Sequence, residues 1–193
     1  MPPTIEFPVP IRLEKLSRVM RIKGADVYIH WSVFAVAGLI LLGATRWSLM
    51  LSLVEIAAYL SVLFIHECGH LIAAQRLGCK VYSIKLYPIY GLTDFQTPWT
   101  RFDHCVIAWG GVLAQAVIAV PVVTYVTMFG YTRFETLNGM LEILGFYSLI
   151  MAAINLLPAP PLDGAIAWGI VPEFIRRVRT RRSGRTSRER YWR

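Results

Sequence analysis

The stretch LMLSLVEIAAYLSVLFIHECGHLIAAQR, residues 49 to 76, decides how this chain is read. It is apolar over more than the ~20 residues that carry a helix across a bilayer, yet it contains His66, Glu67 and His70. Ionisable groups at membrane depth are costly and are by default functional. On a helix the two histidines are separated by about 40° of rotation and about 6 Å of rise, so both imidazoles reach one metal ion. Glu67 projects about 60° from His70, close enough to act on a water at that ion. The spacing H-E-x-x-H therefore reads as two metal ligands and a general base.

The composition sets the surroundings of this motif. Hydrophobic residues make up 55% of the 193 and charged residues 17%, with a mean hydropathy of +0.50, which excludes an ordinary soluble domain. Four stretches are long enough to span: Val27 to Thr45, Leu49 to Arg76, Cys105 to Tyr131 and Asn138 to Leu157. The sequence thus predicts an all-α polytopic membrane protein with about four transmembrane helices. No small-residue cleavage pattern follows the first stretch, so no removable signal peptide is expected.

The net charge of +8 follows the membrane rather than a nucleic acid. Five basic residues precede the first span, four lie between the second and third, and nine follow Glu173; only Arg46 and Arg133 fall in the other two connections. The positive-inside rule then makes both termini cytoplasmic and puts the His66–His70 end of its span toward that side. From Ala165 a short apolar run leads into Arg176, Arg177, Arg179, Arg181 and Arg182. It reads as an interfacial helix and a basic tail that favours anionic headgroups of the bilayer. No nucleic-acid partner is expected.

Two ligands leave a catalytic metal one protein ligand short. His30, His104, Glu55, Glu142 and Asp163 are the acids and histidines in or beside apolar segments. Glu55 shares a helix face with His66 but lies about 16 Å along the axis. Cys68 points away from the metal face and reads as a packing residue. Cys68, Cys79 and Cys105 lie in or at the cytoplasmic ends of spans, and no disulfide is expected. Asp163 stands in NLLPAPPLDG, residues 155 to 164, where three prolines in four positions end the fourth span and Gly164 permits a sharp turn. Alone such a segment reads as a loop; beside a metal motif it also reads as the lining of a wet cavity.

HECGH at 66 to 70 followed by NLLPAPPLDG at 155 to 164 resembles the site-2 protease family of intramembrane metalloproteases, which carries H-E-x-x-H in one span and N-x-x-P-x-x-x-L-D-G at a later one. The resemblance implies one Zn2+ per chain held by His66, His70 and Asp163, with Glu67 as general base and proton shuttle and Asn155 orienting or polarising the substrate amide. It implies a metalloprotease that cuts a transmembrane protein substrate. Gly110-Gly111-Val112-Leu113-Ala114-Gln115 is similar to the family's G-P-x-x-N element, but Val112 replaces the proline and Gln115 the asparagine; the paired glycines also read as a helix-packing site. Gly24 to Trp31 is similar to the family's entry into its first span, though Tyr28, His30 and Trp31 read better as interfacial anchors.

Between the second and third spans, Val81 to Tyr87 and Ile89 to Phe95 are β-rich runs around Pro88 and Gly91. The resemblance implies that they form a small membrane-associated β-hairpin after the second span, whose edge holds an unwound substrate by strand addition. The expected organisation is a cytoplasmic segment at 1–26, a transmembrane metalloprotease core at 27–164, and an interfacial helix with a basic tail at 165–193. That length leaves no room for a sensing domain, so a minimal core is expected. Membrane desaturases and hydroxylases need more histidines than the four present. A non-catalytic relative that binds membrane proteins without cutting them is the remaining alternative.

Overall fold

The computed structural model describes residues 16–43 and 49–179. In chain order the elements are β1 (Leu16–Ile22), β2 (Ala25–His30), α1 (Trp31–Gly43), α2 (Leu49–Arg76), β3 (Val81–Leu86), β4 (Gly91–Phe95), α3 (Arg101–Phe129), α4 (Glu135–Glu142), a π-helical turn (Ile143–Tyr147), α5 (Ser148–Asn155) and α6 (Gly164–Ala167). Residues 170–179 are again helical. Among the described residues, three helical stretches are long and apolar enough to cross a membrane: α2, α3 and the continuous run Glu135–Asn155.

The first expected span, Val27 to Thr45, is corrected at its start, while its end at Thr45 lies outside the described residues. Its opening residues belong to β2, and the helix that follows is described over 13 residues. The reason is a change of period within one apolar run. Ala25 and Val27, two apart, are buried against the core, as a strand face requires, and helical spacing begins only at Trp31. The basic tail beyond residue 179 lies outside the described residues.

The all-α expectation is also corrected, because β3 and β4 are half of a four-stranded sheet in the order β1-β2-β3-β4. β1 and β2 form a hairpin over the two-residue turn Lys23-Gly24, with φ of 47° and 89°, the left-handed pair of a type I′ turn. β2 then pairs parallel with β3 after the long crossover through α1 and α2. Residues 16–26, expected as a separate segment, therefore build the same sheet. One face of the sheet closes over the ends of two helices: Val27, Val81, Ile84 and Leu86 pack with Leu71 and Ala74 of α2 and Ile107 of α3.

The β3–β4 hairpin runs along α2. Its base packs near Ala74, while its tip is tied where the Tyr59 hydroxyl donates to the Pro88 carbonyl. Tyr59 lies seventeen residues before Arg76, about 25 Å along a helix. β4 thus passes the level of Glu67.

Helices α2 and α3 cross at glycines. A Cβ at Gly69 would stand 2.3 Å from the Gly110 carbonyl oxygen, and one at Gly110 would stand 2.7 Å from that of Gly69. Such contact between backbones is how helices associate where lipid removes the hydrophobic drive. Gly69→Val is therefore expected to destabilise the protein by at least the ~1–3 kcal/mol of an overpacked core, read as a lower thermal transition in detergent. An unchanged transition contradicts this crossing.

Candidate metal centre

Helix α2 presents His66 and His70 one turn apart on its buried face toward α3. Helix α3 answers with space and hydrogen bonds. A Cβ at Gly111 would lie 2.6 Å from both His66 Cε1 and His70 Nε2, so only glycine admits the two rings. Gly110 serves the helix crossing and Gly111 the histidines.

Each imidazole is held by its Nδ1. His66 Nδ1 is 2.9 Å from Gln115 Oε1, and His70 Nδ1 is 2.8 Å from the Ile107 carbonyl oxygen. Both partners are acceptors, so Nδ1–H donates and the lone pair of each ring sits on Nε2. The third group arrives from the far end of the chain. After α5, the Pro-rich segment folds back through short backbone bonds, among them Ala159 N–H to Leu157 O at 2.8 Å and Leu162 N–H to Ala159 O at 2.9 Å. Trp168 Nε1 donates to Leu156 O at 2.6 Å. Gly164 matters for space rather than for an unusual turn: a Cβ there would stand 2.2 Å from Leu156 O, and its φ is not positive.

Asp163, at the start of α6, then faces the histidines. Its Oδ2 lies 2.9 Å from His66 Nε2 and 3.3 Å from His70 Nε2, and the two Nε2 atoms are 3.1 Å apart.

The donor set fits zinc. Two neutral imidazole nitrogens and one carboxylate oxygen are ligands of a catalytic site with an open fourth position. Bonds of about 2.0–2.1 Å in a tetrahedron place ligand atoms about 3.3 Å apart, close to the separations here. Among the described residues, His66, His70 and Asp163 form the one such cluster. The histidines are buried while the Asp163 side chain is 23% exposed, so the site opens on the Asp163 side.

The other sequence candidates lie elsewhere. His30 Nδ1 is 2.5 Å from Ser32 Oγ, and its ring packs by Trp31 and Tyr87. His104 meets Phe95 edge-on. Glu55 lines an apolar groove with Val33, Ile56 and Tyr59. Cys68 is a half-buried free thiol outside the cluster. Asn155 is the last residue of α5, is half-buried, and makes no side-chain hydrogen bond among the described residues.

Three partners had no role assigned beforehand, although Gln115 stood out as the counterpart of the family's asparagine. Gln115 is 1% exposed and holds His66; Thr93 Oγ1 donates to Glu67 Oε2 at 2.6 Å; and Gly91 lies so near Glu67 that a Cβ there would meet its Oε1 at 2.3 Å. The available signal was the two-residue spacing of Gly91 and Thr93, which puts both on one face of β4. Gln115→Leu is expected to weaken zinc binding about 10- to 100-fold, the usual cost of losing a partner behind a ligand. Competition with a chromophoric chelator measures it, and unchanged affinity removes Gln115 from the site.

No protein-family profile matches the chain. A Synechocystis protein, provisionally named a zinc metalloprotease, is 29% identical over 182 residues, covering 79% of this chain and 44% of that protein. A zinc metalloprotease of Methanocaldococcus jannaschii is 26% identical over 150 residues, covering 76% of this chain and 42% of that protein. The chain thus spans less than half the length of these curated relatives. The solved site-2 protease from Methanocaldococcus jannaschii shares the fold, with a TM-score of 0.64 and 23% identity over 79% of this chain and 69% of that one. Relatives of this kind, together with the cluster's donors, support zinc as the metal.

Proposed function

With relatives named zinc metalloproteases and a shared fold supporting the site-2 protease family, we propose that this protein hydrolyses a peptide bond in or near a transmembrane segment of another protein. The observation that carries the reading is the convergence of His66, His70 and Asp163 beside Glu67 on a helix long and apolar enough to span a bilayer. Zinc bound there would supply Lewis acidity and lower the pKa of a coordinated water to about 7.

The chain's own residues do the rest. Glu67 accepts the proton of the attacking water on its carboxylate and returns it to the leaving amine. Asn155 orients the substrate amide from the end of α5. His70 and His66 lie six and ten residues before Arg76, about 9 and 15 Å inside the helix end. The distribution of basic residues makes that end cytoplasmic, and both termini with it, β2 and α1 together carrying the chain to the start of α2 as a fourth crossing. The Pro-rich segment beside Asp163 lines the path by which water enters.

A helical substrate shields its peptide bonds, so it must unwind before attack. β4 is the outer strand of the sheet, and its free edge carries backbone groups that hydrocarbon cannot satisfy. An unwound segment pairing there gains hydrogen bonds and comes to lie beside Glu67. The lipid bilayer is the second partner, with anionic headgroups at the basic tail.

The test is reconstitution of the purified protein with a single-span substrate in zinc-containing vesicles. Cleavage that stops when zinc is chelated and resumes on its return is the expected result. Binding of the substrate with no zinc-dependent product would favour the non-catalytic alternative.

A further inference from the structure

The sheet does more than border the site, because it grips the catalytic glutamate. Gly91 and Thr93 lie two residues apart on one face of β4 and both meet Glu67. Glutamate has three side-chain torsions, and an unrestrained carboxylate spends most of its time away from any one productive orientation. Here the carboxylate lies against the backbone of Gly91, with Cγ, Cδ and Oε1 all within 2.4 Å of where a Cβ would stand. The Thr93 hydroxyl donates to Oε2 at 2.6 Å, a short charge-assisted bond.

We propose that Thr93 is a positioning residue for Glu67, fixing Oε2 through its hydroxyl so that Oε1 is the oxygen that takes the proton of the attacking water. Gly91 supplies the room in which Oε1 lies. The two acceptor oxygens then have separate tasks: one is anchored to the sheet and the other is left for chemistry. Because β4 also has the sheet's free edge, a substrate strand paired there shares a rigid frame with the base that activates the attacking water. The inference rests on the assignment of Glu67 as general base and deepens it.

The test compares Thr93→Val, which keeps the shape and removes the hydroxyl, with Thr93→Ser, which restores the hydroxyl without the methyl. In the full chain with a single-span substrate, Thr93→Val is expected to lower kcat about 10- to 100-fold, the worth of one hydrogen bond to a charged group. KM and zinc affinity are expected to stay within about twofold, and Thr93→Ser to recover most of kcat, since it keeps that bond. A readout independent of turnover is the infrared carboxylate stretch of Glu67 in isotope-labelled protein, assigned by its loss in Glu67→Gln. It should shift in Thr93→Val and return in Thr93→Ser.

An unshifted band, an unchanged kcat, or a Ser variant as slow as the Val variant overturns the proposal. So does a kcat loss matched by an equal loss of zinc affinity, which would make Thr93 a structural support only. Cleavage that persists in Glu67→Gln overturns the general-base assignment itself, whereas cleavage lost in Glu67→Gln and intact in Thr93→Val overturns the role of Thr93 alone.

Discussion

Asp163→Ala is expected to lower zinc affinity by well over the ~100-fold that loss of a supporting partner costs, because it removes a ligand. His66 and His70 remain, held through Nδ1 by Gln115 and Ile107, but two imidazoles alone give an incomplete site. The substitution is also a fair test, because the segment carrying Asp163 does not depend on its side chain. Trp168 Nε1 ties α6 back to Leu156 O, Trp109 Nε1 donates to Ala167 O at 3.1 Å, and Gly164 packs on the Leu156 backbone. The variant should therefore fold, with a thermal transition near that of the zinc-free wild type. Titration against a chelating dye gives the affinity. A variant that binds zinc within a few-fold of wild type would show that another group completes the site.

Glu67→Gln should separate binding from turnover. The amide keeps the size of the carboxylate and still offers an oxygen to the Thr93 hydroxyl, but it cannot take a proton. Loss of general acid–base catalysis lowers kcat about 10²- to 10⁴-fold, while zinc affinity is expected to be retained because Glu67 is not among the three converging groups. A variant that cuts at the wild-type rate would remove Glu67 from the chemistry. One that loses zinc along with activity would make it a ligand or a structural residue.

What could be read from sequence follows the range of each interaction. His66, Glu67 and His70 are neighbours on one helix, so spacing alone sets their geometry. Asp163 is 97 positions from His66; its Pro-rich surroundings made it the strongest candidate, the resemblance implied its role, and the structure brings it to the cluster. β1 and β2 were missed because strand-like Ala25 to His30 runs without punctuation into the apolar helix from Trp31, so the two periods merge into one hydrophobic stretch. Gly164 was assigned the wrong virtue: conformational freedom was expected, and clearance for the Leu156 carbonyl is what the fold uses. Gln115 and Thr93 act across elements, through α3 to α2 and β4 to α2. Contacts of that kind become visible only once the chain has folded.

The claim that this metal centre cuts within the membrane is tested most directly by locating the broken bond. A single-span substrate is reconstituted with the protein in zinc-containing vesicles, and the new termini of its fragments are read by mass spectrometry. A scissile bond inside the apolar segment, toward its cytoplasmic end and absent with Glu67→Gln, is the predicted result. A bond confined to soluble flanks away from the membrane, or the same bond broken in Glu67→Gln, would contradict the account.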